Sequence, residues 1–142
     1  MSTRESPAQR DDLLDTEARG AQIHTIMGTG LPTVEQNDTL RDVAKELTAD
    51  DIGAVLVKSS GGPVGVVSER DITVAVAMGF DVDVEQVKTA MSVDLVASPA
   101  TAPIADVGRL MVRSGVRHVI VRDGSQVLGV VSMRDVLGAL LA

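Results

Sequence analysis

One polar pattern, Ser-x-Arg-Asp, occurs twice in this chain, within the octets GVVSERDI (residues 65–72) and GVVSMRDV (residues 129–136). Each copy supplies a hydroxyl, a guanidinium and a carboxylate. The residues are Ser68, Arg70 and Asp71 in the first copy, and Ser132, Arg134 and Asp135 in the second. A carboxylate can accept hydrogen bonds from a sugar diol, while arginines and the amides of a helix N-terminus hold phosphates. This pattern is typical of a nucleotide site.

The same pattern also predicts a structural feature, the helix cap. Each serine follows a valine-rich stretch and precedes a helical one, and an acid three residues later completes a capping box. Aspartate is shorter than the Glu or Gln that usually fills this position, and a cap does not require the arginine. Capping and ligand binding are compatible, and both interpretations stay open at this point.

The octets belong to a longer internal repeat. A shift of 64 residues aligns the chain on itself without a gap from about Thr25 to the end, so that Met27 falls on Met91 and Asp42 on Asp106. Such a register over this length indicates a duplication. One copy of roughly 50 residues cannot bury enough surface to fold alone, whereas two copies packed together can, and they would leave two equivalent clefts.

Each copy predicts the same order of elements. An extended segment (31–34, 95–98) precedes a helix with an apolar stripe, which begins with Leu40 and with Ile104. Two valine-rich strands follow (54–57 and 64–68, then 118–121 and 127–132), and a last helix begins at Glu69 and at Met133. Thr39 and Asp42 predict a capping box for the first helix, and Pro103 requires a different cap in the second copy.

These elements predict a mixed α/β (α+β) fold of two pseudo-symmetric β-α-β-β-α repeats packed sheet to sheet. The expected segments are a flexible N-terminal tail (1–20), repeat 1 (21–80), a linker helix (81–90) and repeat 2 (91–142).

Composition argues against several classes of function. The net charge of −7, with no Trp or Tyr and a single Phe, disfavours nucleic-acid binding. There is no cysteine, only two histidines, and no nucleophile–base pair, so we expect no metal, no required cofactor and no enzymatic activity. The N-terminus does not resemble a secretory signal, and no apolar run is long enough to span a membrane; we therefore expect a cytoplasmic protein without membrane attachment.

The acidic charge is unevenly distributed along the chain. Residues 101–142 carry five arginines against three acids, a net charge of +2. This excess fits either an ordinary solvated face or a local anion site.

The repeats resemble a tandem cystathionine-β-synthase (CBS) domain pair, also called a Bateman module, over about Gln22 to Ala142. The segments that carry the resemblance are Ile26-Met27, LPTV (31–34), Thr39-Leu40, DIGAVLV (51–57) and GVVSERDI in the first copy, and Ala90-Met91, VRHVIV (116–121) and GVVSMRDV in the second. Their order and constant spacing are more specific than any one of them.

The resemblance implies a regulatory sensor of adenosine nucleotides. By that resemblance Asp71 and Asp135 hold ribose, and Ser68 and Ser132 lie near the phosphates. The adenine would lie among aliphatic groups and backbone at two triplets, which are Ile52, Gly53 and Ala54, and Val116, Arg117 and His118. Thr33 is a further expected contact, and phosphates would meet Arg117 and His118.

The chain departs from the family pattern at several positions. Val55 and Val119 stand where a proline is frequent, Ala97 replaces Thr33 in the second copy, and Gly53-Ala54 offers no cation where Arg117-His118 does. We therefore expect unequal affinities at the two clefts.

The sequence thus predicts a stand-alone regulatory module that binds AMP, ADP or ATP in inter-repeat clefts. We expect it to form a homodimer through helices flanking those clefts and to signal to an unidentified effector protein. The alternatives are a ligand-free protein-interaction or dimerisation module and a binder of S-adenosylmethionine.

Overall fold

The structure, a computed structural model, describes residues 20–27, 32–50 and 52–142. The expected flexible tail therefore lies outside the described residues, apart from Gly20, and so do Leu31 and Asp51. Repeat 1 contains β1 (Thr33–Glu35), α1 (Leu40–Ala49), β2 (Ala54–Ser59), β3 (Gly62–Ser68) and α2 (Glu69–Ala77). Repeat 2 contains β4 (Ala97–Pro99), α3 (Ile104–Ser114), β5 (His118–Asp123), β6 (Gln126–Ser132) and α4 (Met133–Leu140).

The two repeats have the same sheet topology. In each three-stranded sheet the central strand pairs in parallel with the first strand and antiparallel with the third. The strand register is offset by the predicted 64 residues: Thr33 pairs with Leu56, and Ala97 pairs with Ile120. An irregularity follows Val57 in one sheet and Val121 in the other. The predicted order β-α-β-β-α is confirmed in both copies.

The hairpins are tighter than the sequence predicts. The strands extend to Ser59 and from Gly62 in the first hairpin, and to Asp123 and from Gln126 in the second, so two residues remain in each turn. Gly62 and Gly124 have φ values of 110° and 59°, which a side chain would strain. The turn-forming residues 58–62 and 123–126 predict longer turns than the structure has.

The chain divides into two compact units. We call Thr29–Val96 the repeat-1 unit, and Ala97–Ala142 together with the segment before Thr29 the repeat-2 unit. Residues 21–27, which lie within the expected repeat 1 (21–80), therefore group with the repeat-2 unit. The backbone N–H groups of Ile23 and His24 donate to the carbonyls of Ala102 and Ala100, at 2.8 and 3.2 Å.

Within the repeat-1 unit, the segment that contains Val87 and Lys88 makes the equivalent hydrogen bonds. Val87 and Lys88 donate backbone hydrogen bonds to Asp38 and Gln36, at 2.8 and 3.1 Å. Each of these residues lies 64 positions from its counterpart in the repeat-2 unit. A 3-10 helix forms at each place. It spans Ile23–Ile26 in the repeat-2 unit and Val87–Thr89 in the repeat-1 unit. Val87–Thr89 lies within the segment 81–90, where a linker helix is expected. The symmetry thus extends beyond the repeats themselves.

Each unit has its own apolar core. In the repeat-1 unit the buried side chains are Val34, Val43, Leu47, Val55, Val57, Val67 and Val87. In the repeat-2 unit they include Ile23, Ile104, Val107, Met111, Val119, Val121, Val131 and Val136. The predicted stripes of α1 and α3 face these cores. No helix among the described residues is long and apolar enough to cross a membrane.

The caps of α1 and α3 differ as predicted. Thr39 Oγ1 accepts the N–H of Asp42 at 3.2 Å, and Asp42 Oδ2 accepts the N–H of Thr39 at 3.1 Å, a complete capping box. Pro103 provides no side-chain cap for α3. There the Ile104 N–H donates to the Ala21 carbonyl at 2.9 Å, whereas the Leu40 N–H of α1 donates to the Glu85 carbonyl at 3.0 Å.

The Asp42 cap predicts a pH effect on stability. Hydrogen bonds from the Thr39 backbone and side chain hold the pKa of Asp42 below its ordinary value of 3.8. Because the folded pKa is the lower one, this stabilisation is present above 3.8 and is lost as pH falls through the folded pKa. We expect D42N to flatten the fall of urea midpoints below that pH. An acid dependence as steep as that of the wild type would contradict this.

Candidate functional site

In the repeat-1 unit, strand pairing brings the predicted site residues to one end of the sheet. Ala54, the first residue of β2, pairs with Ser68, the last residue of β3. The Glu69 N–H at the start of α2 donates to the Gly53 carbonyl at 2.9 Å. The Gly53-Ala54 backbone is therefore held beside the N-terminus of α2, and we call this end of the sheet the motif end.

The motif end of the repeat-2 sheet has the same construction. His118 pairs with Ser132, and the Met133 N–H donates to the Arg117 carbonyl at 2.7 Å. Arg117 is exposed and His118 is half-buried. The second copy thus places a guanidinium and an imidazole on the residues that neighbour its helix N-terminus, where the first copy has only glycine and alanine.

Both Ser-x-x-Asp motifs form complete capping boxes. The Asp71 N–H donates to Ser68 Oγ at 3.2 Å, and Asp71 Oδ2 accepts from the Ser68 N–H at 2.8 Å. The corresponding distances between Asp135 and Ser132 are both 3.0 Å. The capping interpretation is confirmed by this geometry.

Capping uses only one oxygen of each aspartate. All hydrogen bonds of these carboxylates to other described residues go to Oδ2. The second oxygen, Oδ1, accepts none within the described part of the chain and keeps its lone pairs available. The arrangement therefore leaves each capping aspartate with an acceptor that a hydroxyl could use.

The serine hydroxyls differ between the copies. Ser68 Oγ also donates to Asp71 Oδ2 at 2.9 Å, whereas the Ser132 hydroxyl has no such bond to Asp135. The Ser68 hydrogen is thus already used within the cap. In the second copy, the hydroxyl hydrogen is not committed to the aspartate and can point to another acceptor.

The remaining predicted residues lie near the same ends. Thr33 begins β1, the strand next to β2, and is half-buried. Ile52 and Val116 are half-buried and are held by equivalent hydrogen bonds from their N–H groups to the carbonyls of Leu47 and Met111, at 3.1 and 3.0 Å. Arg70 and Arg134 are exposed on the first turns of α2 and α4.

One further residue distinguishes the two motif ends. The position after the serine is Glu69 in the first copy and Met133 in the second. The first motif end therefore carries Glu69, Arg70 and Asp71, a net charge of −1. The second carries Arg117, Arg134 and Asp135, a net charge of +1 with His118 neutral. The difference lies at the variable position of Ser-x-Arg-Asp, where the sequence itself shows it.

Comparison with known proteins identifies the family. The family model for the CBS domain matches residues 23–78 and again residues 84–142. The chain belongs to the CBS domain family. The two matches, with the repeated sheet topology, make it a tandem CBS pair, or Bateman module.

Two curated relatives are similar to this CBS pair. A 17.7 kDa protein of Acidianus ambivalens is 31% identical over 122 residues, which cover 84% of this chain and 73% of that protein. The arabinose 5-phosphate isomerase KdsD of Yersinia pestis is 30% identical over 118 residues, 82% of this chain. The match covers only 35% of the isomerase, so the CBS pair corresponds to about a third of that enzyme's length.

Among solved structures, a CBS domain protein from Pyrobaculum aerophilum was determined in complex with AMP. It is 30% identical to this CBS pair, with a TM-score of 0.72, over 80% of this chain and 88% of that one.

Proposed function

We propose that this CBS pair is a regulatory module that binds adenosine nucleotides, AMP, ADP or ATP, at its two motif ends and signals their presence to a partner protein. The observation that carries the proposal is that the cap uses only one carboxylate oxygen of each aspartate. One oxygen of Asp71 or Asp135 completes the helix cap, and the other is available to accept a ribose hydroxyl. The AMP complex of a relative at 30% identity supports the same class of ligand.

In this proposal the two sites have different preferences. The repeat-2 motif end offers Arg117, His118 and an uncommitted Ser132 hydroxyl, which suit a phosphate chain. In the repeat-1 motif end, Glu69 repels phosphate and no cation stands at Gly53-Ala54. We therefore propose that the repeat-2 site binds ADP and ATP more tightly than AMP, and that the repeat-1 site has a weaker preference for phosphate.

The test is calorimetry of the purified protein with AMP, ATP and S-adenosylmethionine, with the variants D71N and D135N. The carbonyl oxygen of an Asn side chain can still accept the hydrogen bond from the serine N–H. Its NH2 group then replaces the charged oxygen that would accept a hydrogen bond from ribose. The loss of one hydrogen bond to a charged group weakens binding by about 1.5–3 kcal/mol, or about tenfold or more. We expect that loss at the site carrying the variant.

The chain provides a matched control for this test. Asp42 forms a capping box of the same geometry with Thr39, at the start of α1 instead of α2. D42N therefore perturbs a cap in the same way without touching a motif end, and it should leave nucleotide affinity unchanged. Equal affinities in wild type, D71N and D135N would rule out the ribose role.

The completed capping boxes also favour a second candidate, a protein-interaction or dimerisation module without a ligand. In that case D71N and D135N would alter only stability, as D42N does. Millimolar nucleotide would then leave the melting temperature unchanged, whereas a ligand that binds the folded state raises it. A rise with S-adenosylmethionine alone would assign the module to that ligand.

A homodimer and an effector protein complete the proposal. Exposed apolar side chains on α2 and α4 support self-association through these helices. The effector protein would be identified by its dependence on nucleotide in a pull-down. A cytoplasmic location stays a prediction.

A further inference from the structure

We propose that Arg70 and Arg134, the arginines of the two Ser-x-Arg-Asp motifs, bind the phosphate groups of the nucleotide. This role rests on the proposed function, because it concerns the same ligand at the same motif ends. Each motif then divides the nucleotide between two neighbouring residues, with the aspartate on ribose and the arginine on phosphate.

The position of each arginine is unfavourable for its helix. Arg70 is the second residue of α2, and Arg134 is the second residue of α4. A helix carries a partial positive charge at its N-terminus, so a cation is destabilising in the first turn and stabilising in the last turn. Neither helix has a basic residue in its last turn. The helix dipole therefore does not account for the two arginines, whereas an anion bound beside them compensates their charge.

Ion pairs do not account for the arginines either. Side chains three or four residues apart are neighbours on a helix, while adjacent residues do not face each other. The residues at those positions are not acidic: they are Thr73 and Val74 after the first arginine, and Leu137 and Gly138 after the second. Both arginines are exposed, and neither forms an ion pair with another residue that the structure describes.

The internal repeat separates these arginines from the other basic residues. At the shift of 64 residues, the motif position is the only one that carries arginine in both copies. Two further positions are basic in both copies, with lysine in the first and arginine in the second. A structural partner is present at each of these: Lys58 pairs with Glu35, and Arg109 pairs with Asp106, at 3.6 and 2.9 Å. The duplication thus retains a guanidinium where the described fold gives it no partner.

The capping boxes leave few N–H groups for a phosphate at these helix starts. The first N–H of each helix donates to a backbone carbonyl, that of Gly53 for α2 and that of Arg117 for α4, at 2.9 and 2.7 Å. The third N–H donates to the hydroxyl oxygen of the capping serine, at 3.2 and 3.0 Å. Two of the four N–H groups that a helix start offers to an anion are therefore occupied. A phosphate at the motif end thus needs a side chain to hold it.

In the first copy, the sequence offers one such side chain. Among the predicted site residues of that copy, Arg70 is the only basic one, since Gly53 and Ala54 stand where the second copy has Arg117 and His118. A guanidinium donates two parallel hydrogen bonds to phosphate oxygens, which suits this role. R70Q therefore removes the only cation of its site, whereas R134Q leaves Arg117 in place.

Calorimetry with adenosine, AMP and ATP tests the role, because adenosine has the ribose and lacks the phosphate. We expect AMP and ATP to bind about three- to tenfold more weakly at the motif end that carries R70Q or R134Q, the effect of losing one exposed charge-assisted contact. Adenosine affinity should stay unchanged, whereas D71N and D135N, which act on ribose, should weaken all three ligands.

Arg113 provides the matched control. It is an exposed arginine on α3 that forms no ion pair with the residues described, and it lies outside both motifs. R113Q should leave the affinities for adenosine, AMP and ATP unchanged. R70K and R134K keep the charge without the planar guanidinium, so they should retain part of the affinity for AMP that the glutamine variants lose.

Urea unfolding without nucleotide separates ligand binding from a structural role. Because each arginine opposes its helix dipole, R70Q and R134Q should unfold at or slightly above the wild-type urea concentration. The salt dependence of ATP affinity should also become shallower in both variants, since a charge that salt screens has been removed. Lower urea midpoints, with equal losses of adenosine and AMP affinity, would show that the arginines support the fold instead.

The outcomes also distinguish this role from the function beneath it. If wild type binds AMP, and R70Q and R134Q leave the ratio of AMP to adenosine affinity unchanged, the arginines do not bind phosphate and the nucleotide function stands. If wild type binds none of the three ligands, the proposed function itself is overturned, and the role of the arginines with it.

Discussion

Ile23→Ala is expected to destabilise the repeat-2 unit, although Ile23 precedes β1, the first strand of the repeat-1 unit, in the chain. Ile23 is fully buried in the repeat-2 unit, and its 3-10 helix contacts α4. Its N–H donates to the Ala102 carbonyl at 2.8 Å, which anchors the segment in front of α3. Truncating a fully buried isoleucine removes apolar contacts and leaves a cavity, at a cost of about 2–5 kcal/mol in the free energy of unfolding.

Urea unfolding with hydrogen exchange read by mass spectrometry locates this loss. We expect peptides from α3 and β5 to lose protection in I23A, while peptides from α1 and β2 keep theirs. Val87→Ala is the matched control, because Val87 is the fully buried counterpart in the repeat-1 unit. It should give the opposite pattern. An unchanged urea midpoint for I23A, or a loss of protection centred on α1 and β2, would contradict the assignment.

The duplication in the sequence predicted most of the fold. The 64-residue shift and the apolar pattern identified all four helices and the starting residues of α2 and α4. The same shift holds in the strand register, because equivalent residues with equivalent neighbours pair alike. The strands were predicted too short at the hairpins, where the polar residues Lys58 and Ser59 form part of the ladder.

Periodicity could not predict that the 3-10 helix Ile23–Ile26 groups with the repeat-2 unit and the 3-10 helix Val87–Thr89 with the repeat-1 unit. A 3-10 helix of three or four residues has too few turns to show an apolar stripe. One signal was nevertheless present. Gln22 and Gln86 are identical at the same shift, and Ile23 and Val87 are both apolar, so the internal alignment extends further towards the N-terminus than Thr25.

The candidate sites followed from the sequence in part. The residues Ser, Arg and Asp indicated the motif, and strand pairing brought Ala54 to Ser68 and His118 to Ser132. Patterns of shared residues did not reveal which aspartate oxygen the cap would use, since that depends on the geometry of the first helical turn. Glu69 and Met133, which differ in charge, occupy the variable position of the motif, so a pattern of shared residues does not include them.

The repeated octets also begin with a glycine, and the structure gives the reason at Gly65. Its φ lies outside the left-handed region, so the requirement is one of space and not of backbone conformation. A Cβ built there would lie 2.7 Å from Met91 Sδ and 2.9 Å from the Ser92 carbonyl oxygen. The carbonyl belongs to a backbone bridge, in which Val66 and Ser92 exchange hydrogen bonds of 3.0 and 2.8 Å.

Gly65→Ala should therefore lower the free energy of unfolding by about 1–3 kcal/mol, the usual cost of an inserted methyl group in a packed site. The Met91 side chain can move aside, but the Ser92 carbonyl cannot move without breaking the bridge. The matched control is Gly61→Ala in the same hairpin, where the nearest atom to the new Cβ is Ser59 Oγ at 3.9 Å. That variant should unfold at nearly the wild-type urea concentration, and equal midpoints for both variants would show that the close approach of Ser92 does not require glycine.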